Sequence, residues 1–341
     1  MIRTAAIFAL FALLACDKPP GPRPDRPSNG PASRATSSAA SSASPPDPSA
    51  VPVSVPEIPW RFASTSRLIA IGDVHGDMAA TRTALRLAGL IDEQDDWTGG
   101  DATLVQTGDV LDRGDDEQAI LDLLMNIERQ APLSGGRVHL LSGNHELMNA
   151  AGDFRYVTPG GFRDFEDVEG LQTNRPELAR VPASQRARAA AFLPGGTYAR
   201  KLAPHPVAIV VGDSVFAHGG VLPKHVRYGL DRMNAEVSAW MLGRGKVGMR
   251  VVSTPDSPVW SRHYSDQPDA SDCAKLKSAL GQLKAKRMVV GHTVQPQITS
   301  ACDEQVWRVD VGMAKHYGGR PEVLEITATG VRAIGPSGAD D

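Results

Sequence analysis

Three times in the first half of this chain a short, largely apolar run is followed by a glycine and then by a loop rich in metal-binding residue types. Residues 68–71 lead into Gly72-Asp73-Val74-His75-Gly76. Residues 102–106 lead into Gly108-Asp109-Val110-Leu111-Asp112-Arg113-Gly114, and residues 138–141 into Gly143-Asn144-His145-Glu146. Runs of this length and type suit buried strands. Between them the period changes. Residues 77–90 put Met78, Thr81, Leu85 and Ala88 on one helical face. Residues 115–130 put Ile120, Leu123, Leu124 and Ile127 at i, i+3, i+4 and i+7, with Asp115 and Asp116 at the positive N-terminal end. Strand, helix, strand, helix, strand implies parallel pairing with right-handed crossovers. Ligands of open α/β sheets bind at the C-terminal edge of the strands. The three loops are therefore expected on that edge.

The second half continues the construction with more direct strand-to-strand connections. Residues 207–211 and 215–217 read as strands joined by Gly212-Asp213-Ser214, and the second closes on His218-Gly219-Gly220. Residues 231–241 and 271–283 read as helices. Residues 288–290 form a strand ending in Gly291-His292-Thr293, and 306–311 and 323–327 are the last strands. The expected fold is α/β, with two packed mixed sheets and helices outside. Residues 150–204 break the pattern, with one helix near 184–192. They are expected to form a small cap over the catalytic edge.

Composition bounds what such a domain does. A chain of 341 residues accommodates one sizeable domain with embellishments. A net charge of -3, with no dense basic run, gives no bulk reason to expect nucleic acid or a membrane surface as partner. No internal run reaches the roughly 18 apolar residues of a membrane span.

The N-terminus stands apart. Arg3 precedes an apolar stretch over 5–15, too short to span a bilayer and in the form of an export signal, and Cys16 follows directly. Residues 17–58 hold eleven of the 26 prolines together with Ser-Ala runs. Such a segment lacks the apolar content to offset its ordering entropy and reads as an extended, disordered tether. The catalytic domain is expected over 60–336. Two further cysteines, Cys273 and Cys302, invite a disulfide in an exported protein, although spacing alone does not fix their geometry.

Five strand-end loops thus offer Asp73, His75, Asp109, Asn144, His218 and His292. Carboxylate and amide oxygens mixed with imidazole suit Mn, Fe or Zn. A lone loop histidine is usually a surface or satisfied residue, as His205 and His263 are read here. Six residues of the right type on successive strand ends are a different matter.

Taken together, the Gly-Asp-x-His-Gly, Gly-Asp-x-x-Asp-Arg-Gly, Gly-Asn-His-Glu, His-Gly-Gly and Gly-His-Thr segments resemble the signature set of the calcineurin-like metallophosphoesterases. Asp112-Arg113-Gly114 and Asn144-His145-Glu146 are similar to the PPP-type phosphatases. Pro258-Val259-Trp260-Ser261-Arg262 resembles their bacterial Shewanella-like branch. The resemblance spans residues 68–311. It implies that Asp73, His75 and Asp109 hold one divalent metal and that Asp109, Asn144, His218 and His292 hold a second, with Asp109 bridging. It also implies direct attack by a hydroxide that bridges the two ions. His145 becomes the general acid, oriented by Asp112, and Arg113 and Arg262 clamp the phosphate. Asp310 is either a support for a ligand histidine or a turn residue. The ending Leu13-Leu14-Ala15-Cys16 resembles a bacterial lipobox, which implies a signal over 1–16, lipidation at Cys16 and a periplasm-facing, lipid-anchored enzyme whose only membrane contact is that anchor.

The expected activity is metal-dependent hydrolysis of phosphomonoesters, in phosphoprotein or in a small phosphoester. Its enzymatic rival is a nucleotide phosphohydrolase resembling symmetrical diadenosine tetraphosphatases, which an exported location disfavours. The intact His145, Asp112 and Arg113 speak against a metal-stabilised binding module that has lost catalysis. No motif reports oligomeric state.

Overall fold

The computed structural model describes residues 57–336, apart from 246, 248–250 and 252. The expected signal over 1–16 with Cys16, and the tether except for its last two residues, lie outside the described residues.

Two sheets carry the fold. The first has five strands, β2 (Arg67–Ile71), β3 (Thr103–Gln106), β4 (Arg137–Leu140), β10 (Val323–Thr327) and β11 (Gly330–Ile334), in the order β11-β10-β2-β3-β4. β2, β3 and β4 pair in parallel, as their connections require, and β10 runs antiparallel to β2. The crossovers are α1 (Met78–Leu87) and α2 (Glu117–Gln130). On α2 the buried face is Ile120, Leu121, Leu123, Leu124 and Ile127. Each of these contributes roughly 1.5–3 kcal/mol by leaving water.

The second sheet has six strands: β1 (Arg61–Phe62), β5 (Ala208–Val211), β6 (Ser214–Ala217), β7 (Arg287–Val290), β8 (Thr299–Ala301) and β9 (Val306–Arg308). Their order is β1-β5-β6-β7-β9-β8, with β6, β7 and β9 parallel. One apolar cluster draws on both sheets, including Ile69, Leu104, Val210, Phe216 and Val289, all fully buried. β9 is shorter than the strand expected over 306–311. Val309 still donates to Val290 O at 2.8 Å, but the Asp310 carboxylate then accepts the Gly312 N–H at 2.9 Å and turns the chain.

Residues 150–204 form a helical insertion rather than one helix in a loop. It contains α4 (Pro159–Arg163), α5 (Arg186–Phe192) and α6 (Thr197–Leu202), which follow α3 (Asn144–Ala150). Phe165 packs edge-on against Phe192 and Tyr198, with ring centroids 4.8 and 5.0 Å apart. Further helices among the described residues are α7 (Pro223–Tyr228), α8 (Leu230–Met241) and α9 (Ala270–Leu283). Cys273, in the first turn of α9, is bonded to Cys302, in the turn between β8 and β9, with Cα atoms 5.3 Å apart.

Candidate metal centre

Asp73, Asp109, Asn144, His218 and His292 follow β2, β3, β4, β6 and β7 within a few residues, and all five are buried. The loops reach inward through unusual backbone. His75, Asp109, Asp112, Arg113 and His292 all have left-handed φ, between 43° and 71°. L-residues rarely adopt that region, and strain of this kind concentrates at functional sites. Glycine makes the close approaches possible. A Cβ on Gly143 would lie 2.1 Å from Asp109 Oδ1, and one on Gly291 would lie 2.4 Å from Asp73 Oδ1.

Hydrogen bonds fix the imidazoles. His75 Nδ1 lies 2.9 Å from Leu111 O and His218 Nδ1 lies 3.1 Å from Thr107 O. Donation to those carbonyls puts the proton on Nδ1 and leaves Nε2 as a lone pair facing the pocket. His218 Nε2 then meets Asn144 Oδ1 at 2.9 Å, Asp109 Oδ2 at 3.1 Å and His292 Nδ1 at 3.2 Å. An acceptor facing the acceptor oxygens of a carboxylate and an amide is an arrangement that a cation reconciles. The second group, His75, Asp109 and His145, has ligand atoms within 4.8 Å of one another. Asp73 lies at its margin. Its carboxylate is 3.9 Å from His75 Nε2 and accepts the His292 N–H at 3.2 and 3.3 Å.

The electrostatics fit divalent cations. The Asp73 carboxyl is held well above the carboxylate range, by burial first and then by the charges of Asp310 and Asp109. Asp310, buried in the same pocket, is pushed up to about 6, chiefly by burial. Burial would raise Asp109 too, but His218, His145 and His75 around it outweigh that and hold it below the usual range. Burial, then the charge of His145, pushes His75 down to about 4, and burial and His218 hold His292 well below its ordinary value. The neutral imidazoles can ligate as they stand, and a bound cation would relieve the repulsion that, with burial, keeps the proton on Asp73.

Beside this cluster stands the acid pair. His145 Nδ1 lies 2.6 Å from Asp112 Oδ2, and Asn149 Nδ2 donates to Asp112 Oδ1 at 3.0 Å. Burial opposes the charged form of His145, but Asp109 and Asp112 outweigh it and hold the imidazole above its ordinary value. It therefore retains its proton to higher pH than a free histidine.

All of these side chains except Asp112, Asn149 and His218 line one cavity of about 100 Å³, together with Arg113, Arg262 and three aromatic residues. Arg113 stacks over Tyr156 at 4.0 Å, and its Nε is buried without a partner among the described residues. Arg262 donates to His292 O at 3.1 Å and to Thr293 Oγ1 at 2.7 Å. Tyr156 leans on His145, Tyr317 on His75 and Trp260 on His292, with ring centroids 5.2–5.6 Å apart. Sequence reasoning assigned Tyr156 and Tyr317 no role. Neither lies in a strand-end motif, and only the tertiary fold brings them to the cavity. A larger cleft of about 1190 Å³ runs on from Trp260 and Arg262 between Leu193, Pro194 and Trp240.

Comparison with known proteins agrees with this geometry. Residues 66–296 match the calcineurin-like phosphoesterase family. The chain is 41% identical over 307 residues to Shewanella-like protein phosphatase 2 of Arabidopsis thaliana, covering 80% of this chain and 78% of that one. It is 31% identical over 281 residues to Shewanella-like protein phosphatase 1 of Plasmodium berghei, covering 79% and 74%. Among solved structures, a cold-active protein tyrosine phosphatase superposes with a TM-score of 0.64 at 25% identity, covering 82% of this chain and 79% of that one. These matches cover the strand-end loops and the fold that carries them, and the chain belongs to the calcineurin-like phosphoesterases, among the relatives of the Shewanella-like protein phosphatases.

Proposed function

We propose that this phosphatase hydrolyses phosphotyrosine in proteins. The observation that carries the reading is the aromatic fence of Tyr156, Trp260 and Tyr317 around a cavity bracketed by two arginines. A phenyl phosphate ester fills such a slot with its ring between aromatic walls, where offset and edge contacts favour it. A short alkyl arm would leave those walls uncovered. The structural relative at 25% identity is a protein tyrosine phosphatase, which supports the same reading.

Asp73, His75, Asp109, Asn144, His218 and His292 would hold two divalent cations, Mn or an Fe/Zn pair. When bound, these would supply an activated water and neutralise phosphoryl charge. The chain's own groups do the rest. Arg113 and Arg262 present planar guanidinium forks to the phosphoryl oxygens. His145 holds a proton on the leaving-group side, and Asp112 fixes its ring. The lipobox-like Cys16 supports a lipid-tethered enzyme at a bacterial membrane. Labelling with radiolabelled palmitate, lost in Cys16→Ser, tests that location.

The deciding experiment presents the 60–336 domain with phosphotyrosine and phosphoserine peptides, with added Mn or with chelator. Metal-dependent release from phosphotyrosine at least roughly tenfold faster than from phosphoserine is expected. Preference for phosphoserine, or cleavage of a dinucleoside polyphosphate alone, overturns the reading.

A further inference from the structure

The insertion carries one residue into the centre of the catalytic apparatus. Arg188, on α5, is fully buried, as are Asp112 and Glu117. Its Nη2 donates to Asp112 Oδ1 at 3.1 Å and to Glu117 Oε1 at 3.0 Å, and its Nη1 pairs with Glu117 Oε2. Nη1 also donates to Gly161 O at 2.8 Å, and Nε donates to Asn149 Oδ1 at 2.8 Å. Phe165 and Phe192 each stand 5.1 Å from the guanidinium carbon. A buried cation with every edge of its fork engaged is a built feature, since each unpaired donor there would be costly.

What the fork grips decides its role. The other oxygen of Asp112 is the one on His145 Nδ1. Glu117 accepts the backbone N–H of Asp112 itself. Asp112 and Arg113 are consecutive residues in left-handed backbone, φ 69° and 71°. That conformation turns one side chain into the core and the next into the cavity, and it persists only where its surroundings over-determine it. Arg188 supplies that surrounding. It holds the Asp112 carboxylate from behind, and through Glu117 it holds the Asp112 backbone.

We propose that Arg188 is a positioning residue for leaving-group protonation: the insertion orients the Asp112–His145 pair through this one guanidinium. The proposal rests on the phosphatase reading above, with His145 as the acid. The insertion is thereby part of the catalytic apparatus as well as a wall of the substrate cleft. A lysine at 188 keeps the charge but offers one nitrogen where the fork bridges Asp112, Glu117 and Asn149.

The test compares Arg188→Lys and Glu117→Gln with wild type on two aryl phosphates, one with a poor leaving group (phenyl) and one with an activated group (2,4-dinitrophenyl). Metal content and thermal unfolding are measured alongside. An acid is needed only for the poor leaving group. The expected result is a kcat loss of roughly tenfold or more on phenyl phosphate in Arg188→Lys, a fraction of the roughly 10²–10⁴-fold that general-acid catalysis supplies. Loss on the activated ester should stay within roughly threefold, with KM and bound metal unchanged. Equal losses on both esters, or loss of metal, overturn the proposal. So does failure of both variants to unfold cooperatively, because the network is then only structural. Wild-type rates on both esters separate the two readings. A silent wild type sinks the phosphatase reading and the inference together, whereas an active wild type with a proportionate loss in the variants sinks the inference alone.

Discussion

Glu146 holds Asp109 by its backbone: Oε2 accepts the Asp109 N–H at 2.9 Å. The same oxygen accepts Gly143 N–H at 2.7 Å, and Oε1 accepts Val110 and Leu111 N–H at 2.9 and 3.2 Å. One buried carboxylate therefore ties the loop after β4 to the loop after β3, and the left-handed Asp109 keeps its place because four donors are satisfied at once.

Glu146→Gln replaces one oxygen with an NH₂ group that faces backbone donors. With two buried N–H groups unsatisfied, a stability loss of about 2–4 kcal/mol is expected. Metal affinity should fall by roughly 10–100-fold, as for other residues that orient ligands. Urea unfolding and metal titration check both. A variant with unchanged midpoint and unchanged affinity would show that the loop holds its shape without Glu146.

This arrangement also marks where sequence stops being informative. The five strand-end loops were legible because strand, glycine and ligand lie within a few residues of one another, and glycine marks the close approaches. α2 was legible from its period, and its start at Glu117 differs from expectation by two residues. Glu146 stood in a motif without a role, because the N–H groups it accepts lie up to 37 residues away. Arg188 was hidden in an Arg- and Ala-rich helix, and its carboxylate partners are 71 and 76 residues distant. β1 and β8 are two and three residues long. Neighbouring strands select such short elements, and their own pattern does not reveal them.

Asp109→Asn tests the centre directly. Asp109 Oδ2 lies 3.1 Å from His218 Nε2, 3.7 Å from His145 Nε2 and 3.8 Å from His75 Nε2, so one oxygen serves both candidate ligand groups. The amide removes the charge shared by both sites. Activity should drop by more than the roughly 100-fold typical of an outer-sphere loss, and bound metal should fall in parallel. Elemental analysis beside kinetics reads the two together. Full activity with metal retained would end the two-cation assignment.

The Cys273–Cys302 bond closes a loop between positions 29 apart in sequence. A loop of that length restricts the unfolded chain by about 3–4 kcal/mol in the chain-entropy account. The double variant Cys273→Ser/Cys302→Ser should lose about that much, while activity is retained well below the melting temperature, because His292, although inside the closed loop, is placed by the end of β7 and by its N–H bond to Asp73. Denaturation with and without reductant is the measurement, and identical midpoints would contradict the expectation.

His225 gives the protein an acid-side weakness away from the metal site. It is 5% exposed on α7, and its Nδ1 accepts the Leu222 N–H at 3.1 Å. Burial, and then the charge of Lys224, lowers its imidazole from 6.5 to about 4. The unfolded chain therefore binds a proton between those values that the folded chain refuses, and stability falls as pH drops through that window. Between about pH 7.5 and pH 5 the loss from this group is about 2 kcal/mol, from one pKa unit being worth about 1.4 kcal/mol. Other groups titrate in the same range, so the diagnostic quantity is the slope difference between wild type and His225→Asn, which keeps a side-chain acceptor but does not titrate. The variant should show the shallower decline in urea-derived stability. Equal slopes would mean that His225 can take up its proton without leaving the fold.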